Sequence, residues 1–218
     1  TITFSGGNSL NISSNITDNA SIGAYTWTSP SNAISSDNFY ASASVDETIT
    51  HYLKATNFNF TIPSNATILG IEVSVEAKRD ALVGVKFASV KIVKGYIGST
   101  DKVAGELNTT DWNYNFGSSL DLWGENWTPA NINADNFGVV IAFDNFGGLG
   151  TAYVDEMTIR VYYSATSSST QTFSSIIPQG NTTWNVQGCD SDSLCSFAVN
   201  NYTITFDNVA PVIKLPFY

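Results

Sequence analysis

His51 is the single histidine of the chain, and Tyr52-Leu53 after it reads as part of a strand. A Ser-His-Asp centre needs a nucleophile held in a strained turn, and no Gly-x-Ser-x-Gly segment occurs. A glycosidase needs two converging carboxylates. Asp155-Glu156 is an adjacent acidic pair, but neighbours on a strand point to opposite faces. One is therefore expected to be structural and the other exposed, in a protein that is not an enzyme. Calcium is the stronger site hypothesis, because it takes hard oxygen ligands from Asp, Asn and carbonyls. Asp190 and Asp192 stand two apart between the cysteines, and Asp144-Asn145 precedes Gly147, Gly148 and Gly150. Neither stretch matches an EF-hand, and ordinary Asx turns are the alternative.

Four aromatics, Trp112, Tyr114, Trp123 and Trp127, fall in the loop-rich stretch 108–136. Grouped with Asn and Asp, such rings could stack on sugars while the polar groups bind hydroxyls. The alternative is that they pin the loop to a core beneath it. Cys189 and Cys195 could close a small loop across a hairpin. A disulfide there fits an oxidising, extracellular setting; two free thiols are the alternative. Zinc is disfavoured, because two sulfurs and the distant His51 cannot complete four ligands. Sequons at Asn11, Asn15, Asn19, Asn59, Asn65, Asn108, Asn181 and Asn201 are candidate glycosylation sites, and a ninth at Asn126 is weakened by Pro129.

The elements that must position these residues are strands. Among 218 residues, 43% are hydrophobic and 13% aromatic, enough for a packed core, while only 13% are charged. Polarity comes instead from 26 Ser, 23 Thr and 22 Asn. Thr suits strands, and Ser and Asn favour turns over helices. The net charge of −10 disfavours nucleic acid, whose phosphates need a basic patch. No apolar run approaches the roughly 20 residues that span a bilayer. The chain opens directly on Thr1-Ile2-Thr3-Phe4, a strand-like stretch, which is expected of a mature chain whose targeting segment has been removed or of a fragment of a longer protein.

Period-two alternation predicts strands. Ile71, Val73, Val75 and Ala77 should face in, with Glu72, Ser74 and Glu76 out. Val90–Lys94 and Met157–Tyr163 alternate similarly. The unbroken run Phe137–Phe143 predicts a strand buried on both faces. Phe58–Ile62 reads as a strand ended by Pro63, and Pro129–Asn136 as one short helical turn. The expected class is all-β with almost no helix, a jelly-roll-like sandwich over 1–163. A Ser/Thr linker at 164–170 leads to a short immunoglobulin-like module at 171–218, with strands near 171–177, 181–187, 195–206 and 211–217. That module is too short for an independent immunoglobulin-like sandwich.

Trp27–Ala33, Asn57–Val73, Asp121-Leu-Trp-Gly124, Trp127–Asn133, Asn136–Gly138 and Ala152–Glu156 occur in this order. On them, residues 24–163 resemble a jelly-roll-type module of large prokaryotic cell-surface proteins and of virion proteins of their viruses. Thr183–Cys189, Cys195, Tyr202–Asp207 and Ala210-Pro211 give residues 181–212 a resemblance to the end of an immunoglobulin-like surface-protein repeat whose first half is missing. The resemblance implies architecture and no catalytic motif. The incomplete module must pack on the first domain, continue in residues beyond this chain, or take a strand from another chain, because an unpaired edge is a liability. Thr1, Ile2, Thr3 and Phe4, before the expected joint Ser5-Gly-Gly-Asn8, could fill a neighbour's open sheet by strand exchange; self-pairing within one chain is the alternative. The expectation is an extracellular structural subunit of a filament, surface layer or virion. Its partners would be its own copies or other surface proteins, with no nucleic acid and no membrane insertion. The alternative is a carbohydrate-binding adhesin using the 108–136 loops.

Overall fold

A computed structural model describes residues 7–80, 84–145, 147–165, 176–189, 195–207 and 209. Thr1–Phe4, the Asp190 and Asp192 pair, most of the expected linker, and the strand expected near 211–217 lie outside the described residues. The chain divides into two compact units, the first spanning Ser5–Ala165 and the second including Thr166 onward.

Among the described residues, the first unit holds nine strands: β1 (Gly7–Ile12), β2 (Asn15–Asn19), β3 (Ala41–Val45), β4 (Tyr52–Thr56), β5 (Thr67–Arg79), β6 (Lys86–Lys94), β7 (Trp112–Ser118), β8 (Phe137–Asp144) and β9 (Gly150–Ser164). One antiparallel sheet runs β1-β9-β5-β7, with β3 sharing the β1 edge of β9. The other runs β2-β4-β8-β6. Every step along the chain from β1 to β9 crosses from one sheet to the other. That is jelly-roll-like connectivity, which closes one core between two layers. Gly7 and Asn8 pair with Tyr163 and Tyr162, so they belong to β1 rather than to the expected joint. Ser164 is likewise still in β9.

Ile71, Val73, Val75 and Ala77 of β5 and Met157, Ile159 and Val161 of β9 meet Leu53, Val139, Ile141 and Phe143 of the opposite sheet in one core. Phe87 bridges the layers, with its ring 5.0 Å from Phe116 and 4.6 Å from Phe143. All of β8 is buried, as its unbroken apolar run predicts. Pro129–Ile132 forms a single helical turn, α1, capped by the Thr128 hydroxyl and the Asn131 amide.

Phe58–Ile62 is a correction. Phe58, Phe60 and Ile62 enter the core, but the segment pairs with no strand among the described residues. The Asn133 amide binds both the N–H and the carbonyl of Ile62, each at 2.8 Å. Asn57 and Asn59 have φ of 58° and 53°, a left-handed geometry that Asn tolerates and that breaks an extended ladder.

Among the described residues, the second unit contains two ribbons. β10 (Gly180–Trp184) pairs with β13 (Tyr202–Phe206), and β11 (Gln187–Cys189) with β12 (Cys195–Phe197). The strands expected over 181–187 and 195–206 are therefore each split in two. Asn185 accounts for the first break, because its amide turns away to the Ala198 carbonyl and the Asn201 side chain. No described residue of this unit is buried.

Candidate functional site

The two outer faces of the sandwich differ in cover. On the second sheet, Tyr52, Val93, Val140 and Ala142 form a small apolar cluster under Ile22, Ile49 and Ile97. On the first sheet, strand alternation turns a polar set outward. Ser74 of β5 stands opposite Asn115 of β7 and Thr158 of β9. One pair further along, Glu72 stands opposite Arg160. These residues, with Asn113 and Leu10, line a shallow depression of about 370 Å³. Tyr162 donates to Glu72 at 2.8 Å, and Arg160 donates to the Asn8 amide oxygen at 2.8 Å. Both charged side chains are thus held from outside the floor.

Toward the other end of this face, Glu76 stands directly opposite Glu156. Burial pushes the Glu156 carboxyl above its ordinary value, a bond from the Ser36 backbone opposes this, and the charges of Glu76 and Asp155 add to it. Between Glu76/Glu156 and Ala77/Val154 the register shifts, so Asp155 is the extra residue of a bulge. Its buried carboxylate accepts the N–H groups of Asp37 and Asn38. The adjacent pair Asp155-Glu156 therefore separates into a loop anchor and a half-buried residue on the sheet face. Beyond it, Tyr40, Asn38, Asp111 and Lys78 share one network. The Tyr40 hydroxyl lies 2.9 Å from Asp111 and 2.6 Å from the Lys78 ammonium. Burial alone would lower Lys78, but its bonds to Tyr40 and Asp111 outweigh burial and raise it.

His51 binds Asp18 through Nδ1 at 2.8 Å. Asp18 accepts the Trp27 N–H, and the Trp27 indole donates to the His51 carbonyl. This closed ring ties the segment before β3 to β4, a structural use of the histidine. Asp144 is 3.8 Å from the Lys86 ammonium, and Asn145 accepts the Gly147 N–H as an Asx turn. An ammonium beside Asp144 competes with any cation there. No group of three metal-ligating side chains occurs among the described residues.

The aromatic set is corrected as well. Trp123 is 1% exposed and donates to the Ile71 carbonyl. It sits at φ 57°, unusual for a bulky residue, and is held there by Asp121 accepting its N–H. Tyr114 packs on Phe87 and Trp127 on Phe137. Only Trp112 of the four is largely open, at 59%. Tyr114, Trp123 and Trp127 pin the 108–136 excursion to the core, and Trp112 is left open on its surface. Cys189 and Cys195 are joined in a disulfide across the β11–β12 hairpin. Of the sequons, Asn15, Asn59, Asn65, Asn108, Asn126, Asn181 and Asn201 are exposed, while Asn11 and Asn19 are half-buried. The Asn11 amide is bound to the Phe58 carbonyl.

Alternation in the sequence marks Glu72 and Ser74 as outward, but nothing in it aligns them with Thr158, Arg160 and Asn115. That alignment depends on the register of β5 with both of its neighbours. No protein-family model matches the chain. No curated protein matches it at a significant level.

Proposed function

We propose that the chain is a structural subunit of an extracellular assembly, a filament, surface layer or virion, and does not act as an enzyme. The observation that carries this reading is the exposed apolar face of a ribbon among the described residues of the second unit. On the β10–β13 ribbon, Trp184, Tyr202, Ile204 and Phe206 share one face by register, and Asn181, Thr183, Thr203 and Thr205 the other. The apolar face is left exposed. A two-stranded ribbon is marginal by itself, and a free sheet edge accepts another strand. Pairing with a second copy through Thr1–Phe4 would cover the edge by strand addition. The disulfide supports an oxidising setting. Among the described residues no helix is long and apolar enough to cross a membrane.

Light scattering over a wide concentration range tests the proposal on the full chain and on a chain lacking residues 1–4, a cut that leaves β1 intact. The full chain is expected to assemble as concentration rises, and the shortened chain to remain monomeric. A full chain that stays monomeric throughout overturns the assembly. Assembly unchanged by the cut overturns the strand exchange.

A further inference from the structure

We infer that the free edge of β7 pairs with the same edge of a second copy of this chain, antiparallel about a two-fold axis at Tyr114. The inference uses only the first unit and is independent of the proposed strand exchange.

β7 ends the β1-β9-β5-β7 order, and its ladder runs with β5 alone. On β5, the Ile71 and Arg79 N–H groups both point to the β7 side, to the carbonyls of Asp121 and Asn108. Backbone direction alternates along a strand, so Val73, Val75 and Ala77 bond toward Phe116, Tyr114 and Trp112, which stand opposite them. The N–H and carbonyl groups of Asn113 and Asn115 are thereby turned to the free side. No other backbone meets them there among the described residues. The outer edge of β6 is closed by contrast. The Lys102 N–H binds the Val90 carbonyl, and the Gly98 N–H binds the Ile92 carbonyl.

β7 also lacks the devices that keep an edge from pairing. Trp112–Phe116 contains no Lys, no Pro and no charge. Trp112 stands opposite the buried Ala77, hence on the core side, yet it is 59% exposed. The core side is open at the same edge where the ladder is unpaired.

The strand itself selects the partner. Trp112-Asn-Tyr-Asn-Phe116 has the same pattern in both directions, aromatic and Asn in alternation. Gly117, at φ 81°, presses against the Ile71 carbonyl, so the regular edge ends before it and Tyr114 is its centre. Pairing about that centre sets Trp112 opposite Phe116 of the second copy and Asn113 opposite Asn115 of the second copy. Aromatic pairs across strands are favourable, and amides donate and accept to one another. Asp111 falls opposite Gly117 of the second copy, so like charges do not meet although each chain carries −10. An extended segment of unrelated sequence gains nothing from this symmetry, whereas a two-fold contact requires it. Five paired residues fall short of the roughly 1,000 Å² of a stable interface. Free chains therefore stay mostly apart in dilute solution, and the contact gains strength where copies are held side by side.

Oxidative trapping tests the register. Asn113→Cys and Asn115→Cys chains, altered at exposed positions, are oxidised separately and as an equimolar mixture. Mass spectrometry reads the peptide linking position 113 of one chain to position 115 of the other. The mixture is expected to give about tenfold more linked dimer than either chain alone, because like positions lie beyond disulfide reach in this register. Adding Asn115→Lys to the first chain and Asn113→Lys to the second opposes two ammonium groups and should cut the yield about fivefold, and Asn113→Asp in place of Asn113→Lys should restore it. No linked dimer from the mixture overturns the pairing. So do equal yields from the mixture and the single chains, or a yield indifferent to the added charges. The same chains without residues 1–4 should link equally well, so a failed strand exchange leaves this result standing. A yield lost with those residues overturns an independent contact.

Discussion

In the first unit Phe143 is fully buried between Trp27, 5.9 Å away, and Phe87. In the second, Trp184 stacks on Tyr202 at 5.2 Å and still leaves 47% of its surface in solvent. Both pairings use large rings on strands, but they differ in what lies behind the ring. A second sheet closes over Phe143, so truncating it leaves a cavity that neighbours cannot fill. Solvent already reaches Trp184. Phe143→Ala should therefore cost about 3–5 kcal/mol in denaturant unfolding of the sandwich. Trp184→Ala should leave that transition within about 0.5 kcal/mol and instead weaken self-association. Equal losses in both variants would mean that the second unit is part of the same cooperative core, and the contrast would fail.

The contrast also explains what could be read beforehand. Periodicity is local, so Ile71–Ala77 and Phe137–Phe143 announce their burial from their own residues. Phe58–Ile62 carries the same alternation, but Ile62 takes its hydrogen bonds from Asn133, 71 positions away, and no local pattern reports that. The tryptophans near 123 illustrate a second limit. Residue type fits a sugar platform and a buried pin equally well, and only the indole bond to Ile71 decides. The outer-face depression is a third case, because its parts come from β1, β5, β7 and β9. In the second unit the disulfide was legible because its two residues lie six apart and directly opposite on a hairpin.

That disulfide is the next largest lever. Closing so short a loop stabilises the hairpin by about 2 kcal/mol in the chain-entropy view. Replacing both cysteines with serine should raise hydrogen exchange in β11 and β12 while the sandwich unfolds at the same denaturant concentration. A parallel drop in the sandwich would join the two units energetically.

Asp121 sharpens the first unit's side. It accepts from the Lys102 ammonium at 2.6 Å and from the Trp123 N–H at 2.8 Å. Burial pushes its carboxyl up, but these two partners outweigh burial and hold it below its ordinary value. A depressed carboxylate adds stability above its unfolded value and loses it as pH falls through the folded one. Asp121→Asn should cost about 1–2 kcal/mol at neutral pH, with the difference closing in acid. The loss should appear in the sandwich transition and leave exchange in β10 and β13 unchanged.

Glu156 should give the smallest effect, with the opposite sign. Its carboxyl is raised by burial and by the facing Glu76. Its contribution is thus fully present below the unfolded value and is lost as pH rises through the folded one. Glu156→Gln removes the like-charge pair while keeping an oxygen for the Ser36 backbone. It should stabilise the sandwich by roughly 0.2–1 kcal/mol at neutral pH, the range for opposed like charges on paired strands, and do nothing below the carboxylate range. Unfolding curves at neutral and acid pH check this directly. If Glu156→Gln instead destabilises at neutral pH, the carboxylate is balanced by a cation on this face.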